Sequence, residues 1–117
     1  MKSSNKIGNI NITSEAIASL TGEIVSECYG VVGMASKHLL RDGIAVLLRK
    51  ENYSKGVIVR QSKEGVELDL YLVICHGVRI NEVAVEVQKK VKYELEKMFD
   101  LNFSAINIFV QGIKVVD

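Results

Sequence analysis

The sequence predicts an α+β fold, a two-layer sandwich with two amphipathic helices on one face of a small, mostly antiparallel sheet. Three observations predict it. Apolar residues recur at three- and four-residue spacing in two separate stretches, Ala16 to Cys28 and Ile80 to Met98. Between them Val66, Leu68, Leu70, Leu72 and Ile74 alternate with Glu67, Asp69, Tyr71, Val73 and Cys75, the two-residue period of a strand with one buried face. A further alternating run, Phe103 to Gln111, follows the second helical stretch.

The elements follow in order. Ile7 to Ile12 alternates apolar with small or polar residues and predicts a short strand. Thr13 stands in N-cap position and Glu15 in the first turn, where a carboxylate suits the helix dipole. Ala16, Ile17, Leu20, Ile24 and Cys28 form the apolar stripe of a helix that ends near Tyr29, with Gly30 as the stop. From Val31 to Tyr53 the residues fit a short helix or a buried strand equally, and periodicity does not arbitrate over so few residues.

Val57 to Val59 leads through the turn Ser62-Lys63-Glu64-Gly65 into Val66 to Cys75, a β-hairpin. His76 to Ile80 connects to a second helix, capped by Asn81 and running about 18 residues to near Phe99 at helical spacing. Its apolar stripe is Ile80, Ala84, Val87, Val91, Leu95 and Met98, widened by Val83 and Phe99. Phe103 to Gln111 is the last strand, and Gly112 is expected to break it. No proline, repeat or low-complexity stretch marks a boundary, so residues 1–117 read as one domain.

Composition narrows the function classes. Hydrophobic residues make up 48%, enough for one core, and the charged residues nearly cancel at a net charge of +1. No global field draws the protein to nucleic acid or anionic lipid. The longest apolar runs, Ile44 to Leu48 and Tyr71 to Cys75, fall far short of the roughly 20 residues of a membrane span. Cys28 and Cys75 form no CxxC and read as reduced, buried thiols. The expected location is the cytosol.

No chemical motif emerges. The glycines form neither GxGxxG nor GxxxxGK[ST], and His38 and His76 have no partner at metal-ligand spacing. No serine sits on a strand-to-helix elbow, and Glu67 with Asp69 reads as a solvated strand face. No catalytic, cofactor or metal residue is assigned, and no enzyme activity is expected. Lys89, Lys90 and Lys92 are interleaved with acidic residues, and aromatics are scarce. A small nucleic-acid-binding α+β domain is therefore the alternative function and not the leading one.

One feature stands out. The register that turns Leu68, Leu70 and Leu72 inward turns Tyr71 and Val73 outward, and Ile108 inward puts Phe109 outward. Tyr71, Val73 and Phe109 are the candidate protein interface. A second copy, a partner, or the chain's own 31–53 segment would cover them.

The chain resembles the alkaline shock protein, or envelope stress response, family of Gram-positive bacteria. The resemblance is carried by Gly8, Ile10 and Ile12, by Tyr29-Gly30-Val31-Val32-Gly33-Met34, and by Ser54-Lys55-Gly56-Val57. It continues through the alternating strand Val66 to Ile74 and its exit His76 to Ile80, then Val87 to Lys92, and closes with Ile106 to Gly112. Tyr29 stands where a proline is often seen. The resemblance implies a non-enzymatic protein-binding and assembly module in envelope or general stress homeostasis. It implies self-association or a protein partner, with membrane proximity only through a membrane-anchored partner and no direct insertion. Short members of this kind are linked by genome position to a fatty-acid kinase.

Overall fold

A computed structural model describes the backbone of residues 2–41 and 44–116, and the side chains of residues 14–36 and 47–116. The order is α1 (Lys2–Ser26), β1 (Val31–Arg41), β2 (Ile44–Leu47), a 3-10 helix (Lys50–Gly56), β3 (Val57–Ser62), β4 (Gly65–Cys75), α2 (Ile80–Met98) and β5 (Phe103–Lys114). The α+β class holds. Among the described residues every strand pairing but one is antiparallel.

The expected strand at Ile7 to Ile12 is instead helical, and Thr13 lies inside α1 and does not cap it. Six alternating residues cannot separate the two periods, because Ile7, Ile10 and Ile17 also stand three and seven apart. The stop holds: the chain leaves the helix at Glu27 and turns at Gly30, whose φ of 87° is open to glycine at little cost. The ambiguous 31–53 segment contains a two-stranded excursion and the start of the 3-10 helix, which runs on to Gly56.

β4 is the central strand. Its first half pairs with β3, from Ser62 opposite Gly65 to Val57 opposite Leu70. On the same edge its last residues pair with β1, Met34 opposite Leu72 and Val31 opposite Ile74. Its other edge pairs in parallel with β5 along the whole length. A parallel partner needs a long crossover, and α2 supplies it. Gly112 does not end β5; it is opposite Val73, just past a register shift, and the strand continues to Lys114. Asn81 is not the cap of α2 either, since Arg79 holds that position without a side-chain bond.

Both helices contribute to one core with the even-numbered face of β4. Leu68, Leu70, Leu72 and Ile74 are buried there with Ile17, Ile24 and Val25 from α1. Val83, Val87, Val91 and Leu95 complete it from α2. The real stripe of α1 is rotated from the expected one: Ala18 and Thr21 are buried while Ala16 is exposed. Thr21 is tolerated because its hydroxyl donates to the Ile17 carbonyl at 2.6 Å.

Tyr53 ties the 3-10 helix to both layers. A Cβ on Gly22 would meet the Tyr53 Cβ at 2.8 Å, and one on Gly33 would meet the Tyr53 hydroxyl at 3.1 Å. A glycine inside a helix costs about 1 kcal/mol against alanine. Here it admits an aromatic side chain against the helix backbone.

Candidate functional site

The odd-numbered face of β4 divides into a polar half and an apolar half. In the polar half, Arg60 of β3 makes a two-pronged ion pair with Asp69 of β4, one prong being Nη2 to Oδ1 at 3.0 Å. The same guanidinium reaches Glu67 at 2.9 Å. From β5 the Asn107 amide donates to Glu67 at 2.9 Å and to Asp69 at 3.0 Å. The result is a charged strip across three strands. Asp69, read from sequence as solvated, is only 7% exposed.

These contacts set the charges. The Asn107 amide, followed by Arg60, holds the Glu67 carboxyl below its ordinary range. The bonds to Asp69 and then Glu67 push the Arg60 guanidinium above its ordinary value. Sequence reasoning missed Arg60 and Asn107. The hairpin turn held the signal for Arg60, because pairing Ser62 with Gly65 places Arg60 opposite Glu67.

The apolar half holds the three predicted interface residues. The structure brings Tyr71 and Phe109 together, their rings stacked with centroids 5.0 Å apart and planes at 14°. Tyr71 is 6% and Val73 5% exposed, so little of either meets solvent, whereas Phe109 is 43% exposed. β2 lies three strands from β5 in the sheet order, yet it approaches β5.

A second surface lies at the end of the sheet where β4 and β5 finish. Three segments meet there: the α1–β1 turn with Tyr29, the β4–α2 connector with Val78 and Arg79, and the tail after β5 with Val115 and Val116. Tyr29 is 83% exposed and separates two hollows. One, of about 280 Å³, runs between the helix ends and is lined by Cys28, Arg79, Glu82, Val83, Glu86 and Lys90. The other, of about 320 Å³, is lined mainly by Val31, Val32, Cys75, Val78 and Val116. Val116 is exposed there, as are Ile80, Ile113 and Val115 at the start of α2, the end of β5 and the tail. Sequence reasoning passed over Tyr29 and the tail valines; an aromatic beside a helix-stop glycine was the available signal.

Cys28 and Cys75 are free, and burial raises the Cys28 thiol above its ordinary value, against the opposing pull of Lys90. A raised thiol is a poor nucleophile at neutral pH. Among the described residues no group of His, Cys, Asp and Glu has metal-binding geometry. His76 is exposed, and the side chain of His38 falls outside the described residues. Of the three clustered lysines, Lys92 is engaged by the Phe103 carbonyl and by Glu96, and Lys90 lies beside Glu86. No helix among the described residues is long and apolar enough to cross a membrane.

The three segments meeting at Tyr29 and Val78 include two of those that carry the family resemblance. The family model of the alkaline shock proteins, described by a "cell envelope-related function", matches residues 2–115. The chain belongs to this alkaline shock protein family. It is 46% identical over 112 residues to the Bacillus subtilis protein named "Uncharacterized protein YloU", covering 96% of this chain and 93% of that one. It is 43% identical over 116 residues to "Uncharacterized protein Spy1614" of Streptococcus pyogenes serotype M6, covering 99% and 96%. A second Bacillus subtilis protein, "Uncharacterized protein YqhY", is 33% identical over 108 residues, covering 92% and 78%. No solved structure matches the chain. Alkaline shock proteins are thus described by a cell envelope-related function, and neither the family description nor the relatives' names indicate an enzymatic one.

Proposed function

We propose that this alkaline shock protein is a non-enzymatic protein-binding and assembly module serving the cell envelope from the cytoplasmic side. It is a two-layer domain whose helices stand on one face of the sheet, and whose working surface is the apolar end around Tyr29. The observation that carries the reading is the exposure of Tyr29 between two hollows, one of them lined by Val31, Val32, Val78 and the exposed Val116. A tyrosine left in water beside aliphatic neighbours suits a protein contact, its ring packing while its hydroxyl reaches a polar group. The exposed edge of Phe109 is a further contact point, with Tyr71 and Val73 supporting it from beneath. Membrane proximity then comes through a membrane-anchored protein partner. A fatty-acid kinase is one candidate partner, on the family resemblance.

The test is site-specific photo-crosslinking in intact Gram-positive cells, with a photoreactive phenylalanine at Tyr29 and, as a control, at Glu64 on the β3–β4 turn. Discrete protein adducts from position 29, absent from position 64, are expected. Equal patterns at the two positions would overturn the assignment of this surface. A gel shift at two salt concentrations addresses the alternative. Tight binding that weakens steeply with salt would mean phosphate contacts and a nucleic-acid function.

A further inference from the structure

β5 has one strand neighbour, β4, and its other edge has no strand beside it among the described residues. α2 closes half of that edge. Gln88, Lys92 and Glu96 form one stripe of the helix at four-residue spacing. Gln88 donates to the Ile106 carbonyl at 2.7 Å, and Lys92 donates to the Phe103 carbonyl at 2.9 Å. Glu96 accepts from the Phe103 N–H at 3.2 Å.

The closure stops after Ile106 for a reason visible in the sequence. In a strand the N–H and C=O of one residue face the same edge, and successive residues alternate. The Ile106 carbonyl faces α2, so Ile108 and Val110 face that edge too; the register is unbroken from Ile106 to Val110. The next stripe position on α2 is Ala84, whose methyl group offers no hydrogen bond. Four helical residues rise about 6 Å and two strand residues about 6.6 Å, so Ala84 stands level with Ile108.

We propose that a second copy of this chain pairs antiparallel with the uncapped half of β5, Ile108 of each copy opposite Val110 of the other, about a two-fold axis at Phe109. The inference rests on the assembly reading above and names the partner of a second contact surface. The segment is self-complementary: Ile108 and Val110 flank Phe109 symmetrically, so the donors of each copy meet acceptors of the other. Asn107 to Gln111 holds no charge and no proline, the residues that keep sheet edges from joining. The pairing sets the two Phe109 rings side by side and extends the Tyr71–Phe109 stack into an aromatic row across both copies. A strand from an unrelated protein would satisfy the edge bonds, but it would not in general bring an aromatic to that register.

The test is sedimentation velocity on the full chain over a concentration series, with backbone hydrogen exchange read at low and high concentration. Wild type is expected to form a reversible dimer whose formation slows exchange at Ile108 and Val110. Ala84→Lys extends the capping stripe, as Lys92 does two turns on, and is expected to raise the dimer Kd at least about tenfold. Val85→Lys, exposed and off the stripe, leaves it unchanged. Gln111→Lys puts like charges near the axis, weakens the dimer, and serves as the readout if Ala84→Lys fails to fold. A wild-type protein that stays monomeric overturns the proposal. A dimer with the same Kd in Ala84→Lys and Gln111→Lys also overturns it, and self-association then belongs to another surface, such as that around Tyr29.

Discussion

Arg60 and Asp69 meet diagonally across the β3–β4 hairpin, two residues out of direct register, joined by both prongs of the guanidinium. The pair sits where a solvated strand face was expected, and the carboxylate has little access to water. Asp69→Asn removes the charge and mismatches the Asn107 amide as well. We expect a loss of about 1–3 kcal/mol, the usual cost of leaving buried polar groups poorly paired. Urea unfolding of the single variant and of Asp69→Asn with Arg60→Gln measures it. A loss in the double variant equal to the sum of the singles would show that the pair is not coupled.

Leu70 lies at the centre of the opposite face, in the core to which both helices contribute. Leu70→Ala should cost about 2–5 kcal/mol. Leu70→Asp should abolish folding, because an unpaired buried charge costs as much as a small domain's whole stability. Circular dichroism melts test both, and a folded Leu70→Asp variant would contradict the register of β4.

Gly22 offers a cleaner test of packing. Alanine favours helices over glycine by about 1 kcal/mol. At this position its methyl would press on Tyr53 at 2.8 Å. Gly22→Ala should therefore destabilise by about 1–3 kcal/mol. Gly22→Ala combined with Tyr53→Gly, which removes the Cβ that it meets, should recover the helix gain, when compared by thermal melt with Tyr53→Gly alone.

Acid should weaken the fold through two glutamates. Glu67 is held below its ordinary 4.5 by the Asn107 amide and then Arg60, and Glu96 by the Phe103 backbone N–H and then Lys92. Both are lowered in the folded state, so the unfolded chain binds more protons in the acid range. Their contribution is complete above the ordinary glutamate range and is lost as pH falls through the depressed folded values. Urea midpoints measured from neutral to acid pH should fall there, and Glu67→Gln with Glu96→Gln should flatten the decline. A decline of the same slope in that variant would assign it to other carboxylates.

The parts legible in the sequence are those where one period dominates over a long run. Val66 to Ile74 alternates over a long run, and its even-numbered residues are buried in the core as read. In α2 Val87, Val91 and Leu95 are buried as read and Val83 joins them fully, whereas Ile80 and Met98, expected in the stripe, are exposed at the helix ends. Ile7 to Ile12 was not legible, because six residues satisfy both periods. The direction of β5 was not, because alternation carries no polarity. The burial of Asp69 was not, because a lone strand does not show that Arg60 and Asn107 arrive from either side. The stack of Tyr71 on Phe109 followed from their shared outward face.

β4 bonds to three strands, and the loops that bring them differ greatly in length. β3 is one tight turn away, whereas β5 lies beyond α2 in the chain and β1 lies far upstream. Loop closure therefore orders assembly: the hairpin nucleates, and the distant strands condense on it later. Substitutions in the Arg60–Glu67 stretch then slow folding, while those in the β4–β5 seam mainly hasten unfolding. A ribosome-bound chain lacking β5 exposes the edge of β4 that β5 will occupy, so the interval before the C-terminal strand emerges is when this protein is most open to mispairing.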